Sequence, residues 1–157
     1  MWFMNKIANP IVSLILRSPL HRLMSAAVML ITYQGRKSGK KYTLPVQFVQ
    51  SDHIVYIIPG SPEQKTWWRN LRGGRQVRLL LGGEWLSGKA EVLEGAGQVK
   101  PVTKALALFL KRFPEAAKMH KVRVNAAGDL DQDDLQMAAI STKVVRLELD
   151  KRLVAGC

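Results

Sequence analysis

Two short stretches carry the residue types that can hold a charged, ring-bearing ligand. The first is Gly35-Arg36-Lys37-Ser38-Gly39-Lys40-Lys41, which sets four cations and a hydroxyl among glycine-freed backbone N–H groups. Such a loop suits a phosphate or carboxylate, because turn amides form an anion-binding concavity and charge-assisted hydrogen bonds outlast neutral ones. The second runs Pro59-Gly60-Ser61-Pro62-Glu63-Gln64-Lys65-Thr66-Trp67-Trp68-Arg69-Asn70-Leu71. It offers a turn, a helix start and two adjacent indoles, which suit the flat rings of a cofactor. Neighbouring helical positions point about 100° apart, so one of Trp67 and Trp68 faces the core and the other the groove. Tyr42 and Thr43 alternate on a strand, so only one of that pair faces the groove.

Other chemistries are disfavoured. His21, His53 and His120 share no ligand-type spacing, so no metal site is expected. Asp129 to Asp134 has only a superficial likeness to a calcium loop: it lacks the glycine at the sixth position, and Ile140 stands where the twelfth-position glutamate belongs. The chain suggests no Ser–His–Asp or Cys–His constellation and no assignable catalytic acid or base. That suits a redox enzyme whose cofactor does the chemistry while the protein binds, orients and excludes water. The Gly-x-Gly-x-x-Gly fingerprint of a nicotinamide-binding Rossmann domain is missing.

Composition agrees. The 157 residues, 47% apolar and 23% charged, fit one globular domain with a core. Against 12 acids stand 24 Lys and Arg, a formal charge of +12, which favours an anionic partner. Nothing beyond charge points to nucleic acid. The one cysteine, Cys157, excludes a disulfide framework and makes a reducing, cytoplasmic compartment the default. The apolar runs Ile11–Leu16 and Leu23–Ile31 are too short for a membrane span, leaving the N-terminal helix as a possible peripheral membrane contact.

The positioning elements follow from pattern. Residues 1–25 read as a helical segment, with Ile7, Ile11, Leu14 and Ile15 on one face of a helix over Asn5–Arg17 and a second helical turn over Leu20–Ser25. Residues 26–95 read as the barrel core. Strands are expected at Ala26–Tyr33, Tyr42–Gln50 (edge or bulged, because of Pro45), His53–Ile58, Gln76–Leu81 and Glu84–Leu93. A helix capped by Ser61 and Pro62 carries Lys65–Arg72. Residues 96–157 supply a helix over Gln98–Arg112, a short helix after Phe113-Pro114, a polar loop over Gly128–Asp134 and a last strand at Val144–Leu149. About six mainly antiparallel strands with few helices predict an α+β fold, a small barrel formed as a single domain over 1–157.

These motifs carry a family resemblance. Ser18-Pro19-Leu20-His21-Arg22-Leu23, Thr32-Tyr33-Gln34-Gly35-Arg36-Lys37-Ser38-Gly39, Tyr42-Thr43-Leu44-Pro45-Val46 and Lys65-Thr66-Trp67-Trp68-Arg69-Asn70-Leu71, in this order and spacing, resemble the deazaflavin (F420)-dependent nitroreductase and quinone reductase family. The resemblance implies a split β-barrel of the flavin-reductase kind. It implies hydride transfer from reduced F420 to a quinone, nitro or unsaturated small molecule. It carries cofactor contact onto Arg36, Lys37, Ser38 and Gly39 for the phosphate and polyglutamate tail, onto Tyr42, Thr43 and Pro45 on the next strand, and onto Pro59, Gly60, Lys65, Thr66, Trp67 and Trp68 beside the ring. Where some nitro-activating members carry tyrosines after the last long helix, this chain reads Phe113-Pro114-Glu115-Ala116-Ala117-Lys118-Met119, so the substrate stays open. The C-terminal helices are expected to close the substrate side. The alternatives are the same barrel holding FMN, or a non-enzymatic carrier of lipid, haem or cofactor. The chain is expected as a monomer or a homodimer.

Overall fold

The computed structural model describes the backbone of residues 2–23 and 26–150; side chains 2–9, 21 and 23 lie outside the description. The expectations resting on Ile7, the His21 side chain, Met24, Ser25 and Cys157 therefore fall outside it.

Seven strands form one antiparallel sheet: β1 (Val28–Gln34), β2 (Lys41–Gln47), β3 (Val49–Ser51), β4 (Ile54–Ile57), β5 (Arg75–Leu81), β6 (Glu84–Glu94) and β7 (Lys143–Leu149), in the order β2-β1-β5-β6-β7-β4-β3. The two edges, β2 and β3, are consecutive in the chain and separated only by Phe48, whose N–H donates to Ala27 O at 3.2 Å. A sheet whose edges are joined by one residue must curl back on itself, and the result is a split β-barrel with an α+β complement of helices. The sequence pattern predicts one strand where β2 and β3 stand; the break at Phe48 lets that chain leave one edge and enter the other, giving seven strands rather than six. Pro45 does lie on an edge strand, the place in a sheet where proline is tolerated.

Alternation along each strand sorts side chains into two layers. Met29, Ile31, Val46, Val55, Ile57, Val77, Leu79, Val145 and Leu147 face inward and share one cluster, and Trp68 and Leu71 join it. The outer faces of β4 and β7, with Ile54, Tyr56 and Val144, pack against α2 (Val99–Arg112) and α3 (Gln132–Ser141) through Val102, Leu106, Phe109, Leu110, Leu135 and Ala139. The outer face at Leu30 and Leu80 is covered by Val12 and Leu16 of α1 (Trp2–Arg17).

Several helical expectations need correction. α1 starts at Trp2 and runs through Pro10; it packs Leu16 and the half-buried Val12 on the sheet, whereas Ile11 and Leu14 of the expected stripe are 53% and 70% exposed and Ile15 is half-buried. After it comes a 3-10 turn at Pro19–Leu23. The expected helix over Lys65–Arg72 is a 3-10 turn, Trp67–Leu71, that begins after Thr66. Ser61 sits at φ 49° and is not its cap. Asn70 Nδ2 donates to Trp67 O at 2.9 Å, occupying the carbonyl that an α-helix would offer to the amide four residues on. α3 begins inside the expected polar loop over Gly128–Asp134 and continues through residues to which the pattern gives no element: Asp131 caps it, accepting from Asp134 N–H at 2.9 Å.

Candidate functional site

The hairpin loop between β1 and β2 is closed on itself. Gly35 N–H donates to Lys40 O at 2.8 Å and Gly39 N–H to Gly35 O at 3.0 Å. Gly39 takes φ +67°, which glycine adopts without strain. Ser38 Oγ accepts from Lys40 N–H and lies 3.1 Å from the Tyr42 hydroxyl. Gly35 leaves no room for a side chain, since a Cβ there would stand 2.7 Å from Ser38 Oγ and 2.9 Å from Tyr42 Cε2.

Asn70 joins this loop to the indole segment, 34 positions away. Its Oδ1 accepts from Arg36 N–H at 2.9 Å while its Nδ2 holds Trp67 O. The 3-10 turn is anchored from below by Trp68, 2% exposed, whose Nε1 donates to Pro62 O at 3.0 Å. The Arg72 guanidinium lies 5.0 Å over the Trp68 ring and 2.9 Å from Glu94 of β6, and Lys143 approaches the same carboxylate at 3.4 Å. The Arg72 hydrogen bond, with help from Lys143, holds the Glu94 carboxyl below its usual range.

Two cavities meet at Thr66 and Trp67. One, about 480 Å³, is bordered by the basic loop (Gly35, Arg36, Lys37, Ser38), by Tyr33 and Tyr42, and by Arg69 and Asn70. The other, about 470 Å³, opens at the split of the barrel between β2 (Leu44–Gln47) and the chain leaving β4 (Ile57–Gly60), with Lys65 at its rim. Both volumes fall in the ordinary range for ligand sites, roughly 300–1,000 Å³. The first is polar and cationic; the second is lined mainly by aliphatic side chains and Trp67. A cavity of similar size, about 480 Å³, opens around Ala26, Phe48, Gln50, Glu84 and Arg112; its two opposed charges give it no net preference for an anion.

Of the residues expected at the site, Arg36, Lys37, Ser38 and Tyr42 border the first cavity; Pro45, Pro59, Gly60 and Lys65 border the second; Thr66 and Trp67 border both. Gly39, Thr43 and Trp68 border neither. Gly39 shapes the loop. Thr43 lies on the opposite strand face from Tyr42, where its hydroxyl pairs with Thr32 at 2.8 Å. Trp68 is core. Thus Trp67 and Tyr42 are the groove-facing members of their pairs. No residue bordering either cavity comes from α2 or α3, so the C-terminal helices support the barrel wall instead of closing the substrate side. Tyr33, Arg69 and Asn70 stand in the sequence motifs but have no site role assigned from sequence; they too border the first cavity. Tyr33 was discoverable, because it pairs directly with Tyr42 across the hairpin.

The chemistry of this donor set fits a molecule with a flat body and an anionic tail. Among the described residues, no carboxylate lies within salt-bridge distance of Arg36, Lys37, Lys65 or Arg69. Nor does any described protein group accept the amide N–H of Lys37 or Ser38. Adjacent unclaimed amides among unpaired cations are what a phosphate or carboxylate requires, and the aliphatic cavity beside Trp67 offers a surface for a ring.

Comparison with known proteins bears on the fold and the family. No curated protein sequence matches the chain. A solved structure described as a domain-swapped dimer superposes with TM-score 0.55 at 20% identity, covering 78% of this chain and 80% of the other. An F420-H2 dependent reductase, FDR-A, does so with TM-score 0.55 at 20% identity, covering 78% and 94%. Atu2129 from Agrobacterium tumefaciens, of unknown function, superposes with TM-score 0.53 at 14% identity, covering 80% and 49%. These likenesses establish the fold. The family model for F420H(2)-dependent quinone reductases matches residues 17–107, which include the basic loop, β2 and the indole segment. The chain therefore belongs to the F420H(2)-dependent quinone reductase family and is an oxidoreductase that works with coenzyme F420.

Proposed function

We propose that the two joined cavities are the coenzyme site, with the anionic tail on the basic loop and the deazaflavin ring beside Trp67 and the β2 edge. The observation that carries this reading is the junction itself: Thr66 and Trp67 border both cavities, and Asn70 ties the loop to the indole segment. Reduced deazaflavin supplies a hydride to an electron-poor acceptor. The protein's own part is to bind the tail through Arg36, Lys37, Ser38 and Arg69, to hold the ring's edge at Pro59, Gly60 and Lys65, and to leave the aliphatic cavity for a quinone or similarly flat, reducible molecule. The whole chain acts as one domain, since α2 and α3 buttress β4 and β7. Calorimetric titration with F420, followed by assay of reduced F420 oxidation with a simple quinone, tests the reading. Binding in the micromolar range that weakens with added salt is expected; no binding in that range removes it.

We infer further that the chain pairs with a second copy through α1, because Ile11 and Leu14 stand exposed on it and a structure of the same fold is described as a dimer. Sedimentation of the wild type and Leu14→Glu tests this. A dimer that the substitution dissociates is expected, whereas a monomer that co-sediments with vesicles would instead make α1 a membrane contact. Among the described residues, no helix is long and apolar enough to cross a membrane.

A further inference from the structure

Tyr33 is an anomaly in the basic cavity. It is 7% exposed, yet among the described residues no group hydrogen-bonds its hydroxyl, although Thr32, Gln34, Ser38 and Tyr42 around it are all paired. Buried polar side-chain atoms are with few exceptions partnered, so this hydroxyl calls for a partner beyond the described residues. Its direction can be read from the hairpin. Tyr33 stands directly across from Tyr42, and the two rings stack at 5.7 Å with 27° between their planes. Cross-strand partners share one face of the sheet. Tyr33 therefore lies on the sheet face that carries Tyr42, whose hydroxyl meets Ser38, and Tyr33 itself borders the cavity with Arg36, Lys37 and Arg69. Trp67, 6.0 Å away, closes the other flank.

We propose that the Tyr33 hydroxyl donates a hydrogen bond to an anionic oxygen, phosphate or carboxylate, of the coenzyme tail held by the basic loop. The inference rests on the proposed coenzyme site and adds a binding residue to it. Burial, and secondarily Tyr42, push the Tyr33 phenol above its ordinary value, so at neutral pH it is a donor and does not repel the anion. The ring packs on Tyr42 and Trp67 in the protein alone; only the oxygen waits for the ligand. A group kept for structure would behave otherwise, since deleting its oxygen would strand a protein partner.

Tyr33→Phe deletes the oxygen and keeps the ring. Its melting temperature without ligand should match the wild type within about 1 °C, because no protein hydrogen bond is lost. F420 should bind roughly tenfold or more weakly, the usual worth of a hydrogen bond to a charged group. A deazaflavin lacking phosphate and tail should bind both proteins alike. Equal F420 affinity, an equal loss for both ligands, or a melting temperature lower by several degrees would each overturn the assignment. Should the wild type bind no deazaflavin at all, the proposed function fails, and inorganic phosphate decides the Tyr33 inference. A phosphate-induced rise in melting temperature that Tyr33→Phe loses supports it; the same rise in both proteins, or none in either, rejects it.

Discussion

Asn70→Ala should weaken F420 binding although Asn70 needs no contact with the coenzyme. The substitution removes two hydrogen bonds, each 2.9 Å long, one to Arg36 N–H and one to Trp67 O. Both lie at the half-exposed rim, where each is worth about 0.5–1.5 kcal/mol net. The loop keeps its internal closures, Gly35 to Lys40 and Gly39 to Gly35, so it does not unfold; it loses its fixed distance from Trp67. Re-imposing that distance on binding should cost about 1–2 kcal/mol, a factor of roughly 5–30 in affinity. The two lost bonds, about 1–3 kcal/mol together, should lower the melting temperature by about 2–12 °C, at some 2–4 °C for each kcal/mol in a chain of this size. Asn70→Asp separates the two ties: one oxygen still accepts from Arg36 N–H, but the other now faces Trp67 O, acceptor against acceptor, and the carboxylate competes with the ligand for Arg36 and Arg69. It should bind F420 weakly even though the tie to Arg36 is kept. Calorimetry and thermal unfolding of both variants check this. If Asn70→Ala binds F420 as tightly as the wild type, the idea that Asn70 sets the geometry of the site is refuted.

Other outcomes follow from the same geometry. Trp68→Ala empties the barrel end and should cost about 3–5 kcal/mol of stability, whereas Trp67→Ala should leave the melting temperature within a few degrees and abolish most F420 affinity; the reverse pattern would exchange their roles. Gly35→Ala forces a Cβ against Ser38 Oγ and Tyr42 Cε2, and the displaced loop should lose F420 affinity roughly tenfold or more, as misplacements of ~1 Å do; an unchanged titration would show that the loop adapts. Because Glu94 has a lowered pKa in the fold, its pairing contributes fully above its ordinary value of 4.5 and is lost as pH falls through the lower native value. Stability measured by denaturant titration should therefore drop below about pH 4.5, and Glu94→Gln should flatten that part of the profile; an identical slope in both proteins would count against the clamp.

Much of this design is legible in residue order because it is local. The basic loop is bounded by Gly35 and Gly39 and flanked by apolar runs, which is enough for a hairpin. Pro45 marks an edge, and Val102, Leu106, Phe109 and Leu110 repeat at helical spacing and bury the face they predict. α3 escaped because it buries little more than Leu135 and Ala139 while Met137 and Ile140 stay exposed, so no apolar stripe is visible. Its cap, Asp131, reads as one more acid in a polar loop. The α1 face was misjudged for a related reason: several apolar positions compete along that helix, and the outward Leu30 and Leu80 select Val12 and Leu16.

By itself the sequence determined the ligand chemistry available: cations and free amides on one loop, indoles on one turn, and no acid or base that could replace a cofactor. Only the tertiary structure decided which of each adjacent pair, Tyr42 or Thr43 and Trp67 or Trp68, faces the joined cavities, and that Asn70 and Tyr33 border them. The reason is physical. Donor and acceptor types are properties of single residues, but a side chain's direction is set by what the opposite strand buries, and a contact across 34 positions exists only once the sheet has curled.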